Sequence, residues 1–283
     1  MQQLLMALLL TWTLTITTTA ATVPVFRGTN YIRLHHNLPP HGYHSTFSPL
    51  YYNATRAQHQ HALASMARDK YTLVRVFLDP GNFTRTDSVA GDCAKDVLGS
   101  VYLDNVADFV GMATAEGVKV MVTFTELPTN AYFQQQLHPL NPNIMGTNTF
   151  YLHPGGVQAK ADYLRQFIRN MHTRLSPAQM NTIAVYSIEN EAFYTGTDLP
   201  FSSTTLKQVT TADGMTYDMT DKASRQQCAD ANAVHWANTV FATIRQEHPG
   251  ALATVGMFTF QVGVIRMSCF RVLYDCNTIC ESP

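Results

Sequence analysis

The chain has 283 residues, of which 46% are hydrophobic and 14% charged, and its formal net charge is −1. Such a composition can bury a sizeable core in one large domain or two small ones, and it excludes an intrinsically disordered chain. It also lacks the basic balance that phosphate binding requires, so no nucleic-acid partner is expected.

Residues 1–21 are expected to be a removed signal peptide. Leu4, Leu5, Met6, Ala7, Leu8, Leu9 and Leu10 form its apolar stretch, and Thr17 to Ala21 supply small residues for cleavage. That stretch is too short to span a bilayer comfortably, and no later stretch reaches spanning length. The expectation is a secreted, extracellular protein with no membrane span. Two sequons, at Asn53 and Asn82, fit a glycoprotein. The five cysteines are Cys93, Cys228, Cys269, Cys276 and Cys280. An odd number in a secreted chain leaves one thiol over or one partner missing. They contain no C-x-x-C pair, so no zinc site is expected.

After the leader, residues 23–34 read as a first strand that ends near Asn30. A loop rich in His, Pro and Tyr follows, over 35–53. Residues 55–70 read as a helix, with Thr55 as N-cap and Ala57, Leu63, Ala64 and Ala67 on one face. Residues 72–78 read as the second strand, stopped by Asp79-Pro80-Gly81-Asn82. Residues 101–116 are amphipathic, with Leu103, Val106, Val110 and Ala113 at helical spacing and Gly117 closing the helix. The third strand is 118–125, and Glu126 stands directly after it. Residues 127–156 read as a long functional loop without periodic pattern. The helix at 157–175 buries Tyr163, Leu164, Phe167, Ile168, Met171 and Leu175. The fourth strand opens at Ile183, Ala184 and Val185 and runs into Glu189, Asn190 and Glu191. An irregular stretch, 195–221, precedes a helix over 223–248 whose face carries Val234, Ala237, Phe241 and Ile244. Residues 251–258 read as a fifth strand.

Strands alternating with helices specify a parallel sheet with right-handed crossovers. A doubly wound sheet and a (β/α)8 barrel both fit that alternation. A dinucleotide-binding sheet would need a glycine-rich turn after the first strand, and here that turn reads R-L-H-H-N-L-P-P. The fold class is therefore α/β of the (β/α)8 TIM-barrel type, incomplete, with about five strand–helix units over residues 22–260. Residues 261–283 form an atypical tail.

In such folds the chemistry sits at strand C-terminal ends. Those ends offer Asn30, His35 and His36, then Arg75 and Asp79, then Glu126, then Asn190 and Glu191. The neighbouring loops carry Tyr43, Tyr51, Tyr52, Tyr132, Phe133, Phe150, Tyr151, Phe193 and Tyr194. Aromatic faces beside carboxylates suit sugar rings. The histidines at 35, 36, 41, 44, 59 and 61 lack metal-ligand spacing and read as solvated or sugar-contacting.

The ordered set G-T-N at 28–30, V-R-V-F at 74–77, V-K-V-M-V at 118–122 and N-E at 190–191 resembles the cellulase-like glycoside hydrolases, family 5 and its relatives in the retaining (β/α)8 clan. The resemblance implies that Glu191 is the general acid/base and that Asn190 bonds the sugar 2-hydroxyl. It implies that Arg75 supports the nucleophile electrostatically. Asn30, His36, Glu126 and Tyr194 are read as further substrate-binding positions, and Glu126 as the lone candidate for a substitute nucleophile. β-Linked glucan or mannan is the implied substrate, with no cofactor and no metal. The family's nucleophile is a second glutamate at the end of strand seven. With the fifth strand near residue 258, the expectation is a chain truncated after strand five that lacks this glutamate. Its activity would be impaired, or it would be a non-catalytic carbohydrate binder. Glycosidic cleavage needs two carboxyl groups, one of them with a raised pKa. Glu189, two residues from Glu191 and on the same side of a regular strand, is the expected source of negative charge for that shift.

Overall fold

A computed structural model describes residues 25–32, 46–81, 88–91 and 97–257. The expected signal peptide, His36 with His35, His41 and His44, Tyr43, Asn82, Cys93, Cys269, Cys276, Cys280 and the tail 261–283 lie outside the described residues.

Strand β1 (Gly28–Tyr31) leads to helix α1 (Pro49–Arg68), and β2 (Leu73–Phe77) to α2 (Ser100–Ala115). After β3 (Lys119–Thr123) come the short α3 (Ala131–Gln135), a 3-10 turn at Gly146–Asn148 and α4 (Thr149–Leu152). The long α5 (Pro154–Arg174) and the single-turn α6 (Pro177–Met180) then precede β4 (Ile183–Ser187). A small antiparallel hairpin, β5 (Val209–Thr210) with β6 (Thr216–Tyr217), precedes α7 (Lys222–Glu247) and β7 (Leu252–Thr254). The main sheet has the order β1-β2-β3-β4-β7, and every neighbouring pair is parallel. Strands laid side by side in chain order, with helices between them, are the arrangement of a partial (β/α)8 barrel. Among the described residues β1 and β7 stand at the edges of the sheet.

Local chemistry explains the boundaries. Helix α1 begins at Ser48, whose Oγ accepts the Tyr51 N–H, with Pro49 in the first helical position. The expected cap at Thr55 is therefore corrected. Thr55 is buried inside α1 and its hydroxyl donates to the Tyr51 carbonyl at 2.7 Å. Gly117 ends α2 with φ +69°, as the sequence implied. The stretch 127–156 is not a structureless loop. It is built from α3, capped by Asn130 Oδ1, then the 3-10 turn and α4, elements too short to show a period. On α7 the expected Phe241 and Ile244 are buried and Ala237 packs partly buried against the core, joined by Ala229, Ala233, Trp236 and Val240, whereas the expected Val234 is exposed.

The helix-facing side of the sheet carries Val74, Val76, Val120, Val122, Ile183 and Tyr186, all buried. Phe124 packs edge-on against Tyr163 and Phe167 of α5, with ring centroids at 4.9 and 5.2 Å. The register slips between Val120–Ile183 and Met121–Val185, so Ala184 is an extra residue in β4. Beyond this bulge Val185 and Ser187 align with Met121 and Thr123 on the other side of the sheet, in line with Arg75 and Phe77.

His59 is a core residue rather than a solvated or sugar-contacting one. It is fully buried on α1, bonds Tyr31 Oη at 2.7 Å and Thr55 Oγ1 at 2.9 Å, and stacks on Tyr52. Burial pushes its pKa down to about 4, with Asp108 pulling the other way. A basic group depressed on folding favours the folded state above its unfolded pKa of about 6.5, and that advantage is lost as pH falls toward 4. The expected loss over that window is about 3 kcal/mol for His59. Urea midpoints measured from pH 7 to 4 should fall steeply, and His59→Gln should flatten the dependence. Equal slopes in the two proteins would refute it.

Candidate active site at the strand ends

Arg75 occupies the middle of β2, with the buried Val74 and Val76 on either side. Alternation along a strand turns it to the opposite side of the sheet, away from the helices. There its guanidinium ties several strands together. Nε donates to Thr123 Oγ1 of β3 at 2.9 Å, Nη2 to Asn190 Oδ1 at 3.0 Å, and Nη1 reaches Asn30 Oδ1 of β1 at 3.5 Å. The guanidinium carbon lies 4.6 Å from the Phe77 ring centre. Burial lowers the Arg75 pKa from its ordinary value, and the nearby charge of Glu191 opposes that fall. Glu191 itself is exposed, and among the described residues its carboxylate makes no hydrogen bond. An exposed carboxylate within the field of a fixed arginine, beside an asparagine held by that arginine, is a polar constellation open to a ligand.

Strand β4 ends at Ser187, so its alternation does not continue to Glu189 and Glu191. The two carboxylates part company. Glu189 is buried and forms an ion pair with Lys160 of α5, Nζ to Oε2 at 2.9 Å, with side-chain exposures of 2% for the lysine and 9% for the glutamate. Its other oxygen, Oε1, accepts the backbone N–H of Glu126 and of Asn190, each at 3.1 Å. Burial pulls the Lys160 pKa below its ordinary value, against the opposing pull of Glu189. The expectation that Glu189 supplies bare negative charge to Glu191 is thus corrected, because Lys160 neutralises it.

Glu126 stands at the end of β3 with an exposed side chain and φ +39°, a left-handed conformation that non-glycine residues seldom adopt. Asp79, at the end of β2, is tied into its own turn, where Oδ1 accepts the Gly81 N–H at 2.9 Å. Beyond β7, Gly256 donates its N–H to the Glu189 carbonyl at 3.0 Å and accepts from Ala192 N–H at 2.8 Å. The segment bearing Asn190 and Glu191 is therefore held by α5, β3 and the exit of β7 together.

Arg75, Asn30, Asn190, Glu126 and Glu191 are all brought to one rim. Tyr194 is not. It is 6% exposed, donates its hydroxyl to the Ala229 carbonyl at 3.0 Å and packs edge-on against Tyr151 and Phe201. Its expected substrate contact is corrected to a packing role. Tyr51, Tyr52, Phe133 and Tyr151 are buried too, whereas Tyr132 and Phe193 are exposed. Asn53 is exposed on α1. Cys228 is a free buried thiol on α7, and burial pushes its pKa up to about 12. No helix among the described residues is long and apolar enough to cross a membrane. Nothing in the sequence marks Thr123 as the partner of Arg75 or pairs Lys160 with Glu189. Lys160 did leave a signal: it interrupts the apolar stripe of Val157, Ala161 and Leu164 on α5.

The fold and rim define a partial (β/α)8 barrel with polar and charged side chains gathered at its strand ends. Among the solved structures similar to the chain are two mannanases and a mannosidase. A β-1,4-D-mannanase from Cryptopygus antarcticus shares 13% identity, with 77% of this chain and 54% of that chain covered and a TM-score of 0.42. An endo-1,4-β-D-mannanase from Thermotoga petrophila RKU-1 shares 14% over 83% of this chain and 56% of that one, with a TM-score of 0.44. An exo-β-1,4-mannosidase from Opitutaceae bacterium strain TAV5 shares 13% over 81% of this chain and 31% of that one, with a TM-score of 0.44. The chain thus spans between 31% and 56% of the length of these three. No protein-family model and no curated protein matches it.

Proposed function

We propose that the chain is a secreted, retaining-type β-glycan hydrolase in which the rim binds a β-linked glucan or mannan and Glu191 is the proton donor. The observation that carries the reading is the Arg75–Asn190 hydrogen bond at 3.0 Å beside the exposed Glu191. In this reading Asn190 Nδ2, left free by the arginine bond to Oδ1, donates to a sugar hydroxyl. Glu191 protonates the leaving oxygen, and Asn30 and Glu126 contact the outer hydroxyls. Cleavage needs a second carboxyl group to attack the sugar or activate water. At the described strand ends, Glu189 is committed to Lys160 and Asp79 to its turn, which leaves Glu126 as the other exposed acid. Glu126 stands where the resemblance implies a substrate-binding residue, and the implied nucleophile belongs to a seventh strand that the described five-stranded sheet does not include. We therefore assign the described residues sugar binding with little or no turnover and propose glycosylation at Asn53.

The test is to incubate the purified chain with soluble glucomannan and measure bound sugar and released reducing ends together. Binding is expected without appreciable turnover. Arg75→Met should weaken it roughly ten- to a hundredfold, the value of hydrogen bonds to a charged group. Turnover abolished by Glu191→Gln would overturn the impaired state while keeping the role of Glu191. Absence of any sugar binding would overturn the function itself.

A further inference from the structure

The inference here rests on the reading of the rim as a sugar site and concerns what sets its geometry. The Glu126 peptide is gripped from both sides. Its N–H donates to Glu189 Oε1 at 3.1 Å and its carbonyl accepts from Lys160 Nζ at 2.8 Å. Those two partners are themselves paired at 2.9 Å. The same Glu189 Oε1 accepts the Asn190 N–H, and the Glu189 carbonyl accepts from Ser187 Oγ and the Gly256 N–H, both at 3.0 Å. One ion pair therefore touches peptide groups at the ends of β3 and β4, and the glutamate's own carbonyl reaches the exit of β7.

Stability alone is a poor reason for such an arrangement. A buried ion pair roughly breaks even against apolar residues of similar volume. Left-handed backbone at a non-glycine residue is disfavoured and persists only where its surroundings over-determine it. Here the surroundings are two charges reaching both ends of the Glu126 residue, which itself presents an exposed carboxylate. We propose that Lys160 and Glu189 are positioning residues of the rim. They fix the Glu126 backbone and the Asn190 peptide, so that Asn190 meets Arg75 and the carboxylates of Glu126 and Glu191 are both displayed. Neither residue touches the sugar.

The experiment compares isotope-labelled parent chain with Glu189→Gln, Lys160→Arg and the remote core variant Ile244→Val, by NMR. Four signals are followed: the backbone amides of Glu126 and Asn190, the Asn190 side-chain amide and Arg75 Nε–H. In Glu189→Gln both backbone amides should move upfield, as charge-assisted bonds become neutral ones, and the two side-chain signals should move with them. Lys160→Arg should shift the same four signals less, and Ile244→Val should leave them in place. The proposal is overturned if the side-chain signals keep their parental positions while the backbone amides move, since the pair would then be purely structural. Should Glu189→Gln fail to fold, Lys160→Arg decides by the same signals. Titration with mannotetraose runs in parallel, and Glu189→Gln should weaken its binding about tenfold. A parent chain that binds no mannotetraose would sink the sugar reading, while the four NMR signals would still decide the positioning role.

Discussion

Lys160→Met is expected to lower the unfolding free energy by about 3–5 kcal/mol, the range seen when one partner of a buried ion pair is removed. The lysine is fully enclosed, and its removal leaves the Glu189 carboxylate buried with only backbone N–H partners. It also strips the Glu126 carbonyl of its donor. The double variant Lys160→Met/Glu189→Gln should recover much of the loss. The introduced glutamine would keep an oxygen for the Glu126 and Asn190 amides while removing the stranded charge. Urea melts of both single variants and the double give the coupling energy directly. A loss below about 1 kcal/mol in Lys160→Met would show that water or a neighbouring group replaces the ammonium, against the enclosed geometry.

The framework was legible because it rests on repeated, local signals. Apolar runs bounded by turn residues gave β2, β3 and β4 close to their observed limits, and Gly117 marked the end of α2. Arg75 was legible because a charge in the middle of Leu73-Val74-Arg75-Val76-Phe77 must turn to the side opposite the two valines. What was not legible depended on where chain direction changes. The bulge at Ala184 and the end of β4 at Ser187 break the alternation that would align Glu189 with Glu191. A sequence carries no mark of which carboxylate will meet a lysine from a helix that precedes the strand. Aromatic residues misled for a related reason. Tyr51, Tyr52, Tyr151 and Tyr194 lie in stretches without a clear period that suggest loops beside a sugar site, yet each is buried. Tyr52 and Tyr194 place the phenol on Asp108 and on the Ala229 carbonyl, satisfying a polar tip inside the protein.

Gly256→Ala tests how tightly the rim is built. A Cβ at this position would stand 1.9 Å from the Asn190 carbonyl oxygen and 2.9 Å from its carbon. Both are backbone atoms and cannot rotate away, so the exit of β7 must withdraw from the Asn190–Glu191 segment. Withdrawal breaks the Gly256 N–H bond to the Glu189 carbonyl and the Ala192 N–H bond to the Gly256 carbonyl. Overpacking and two lost hydrogen bonds together are expected to cost about 2–5 kcal/mol. Gly250→Ala is the matched control. A Cβ there meets nothing within 4 Å, so this variant should be neutral or slightly stabilising, because alanine restricts the unfolded chain. Hydrogen exchange should accelerate at Ala192 and at Ile188, whose N–H bonds the Thr254 carbonyl at 2.9 Å, in Gly256→Ala but not in Gly250→Ala. Because the Asn190–Glu191 segment loses this support, the proposed sugar affinity should fall in the first variant even in the fraction that remains folded, and stay at the parental value in the second. Equal stability of the two variants would mean that the β7 exit can move without cost. The close packing of Gly256 on Asn190 would then not be what holds the rim.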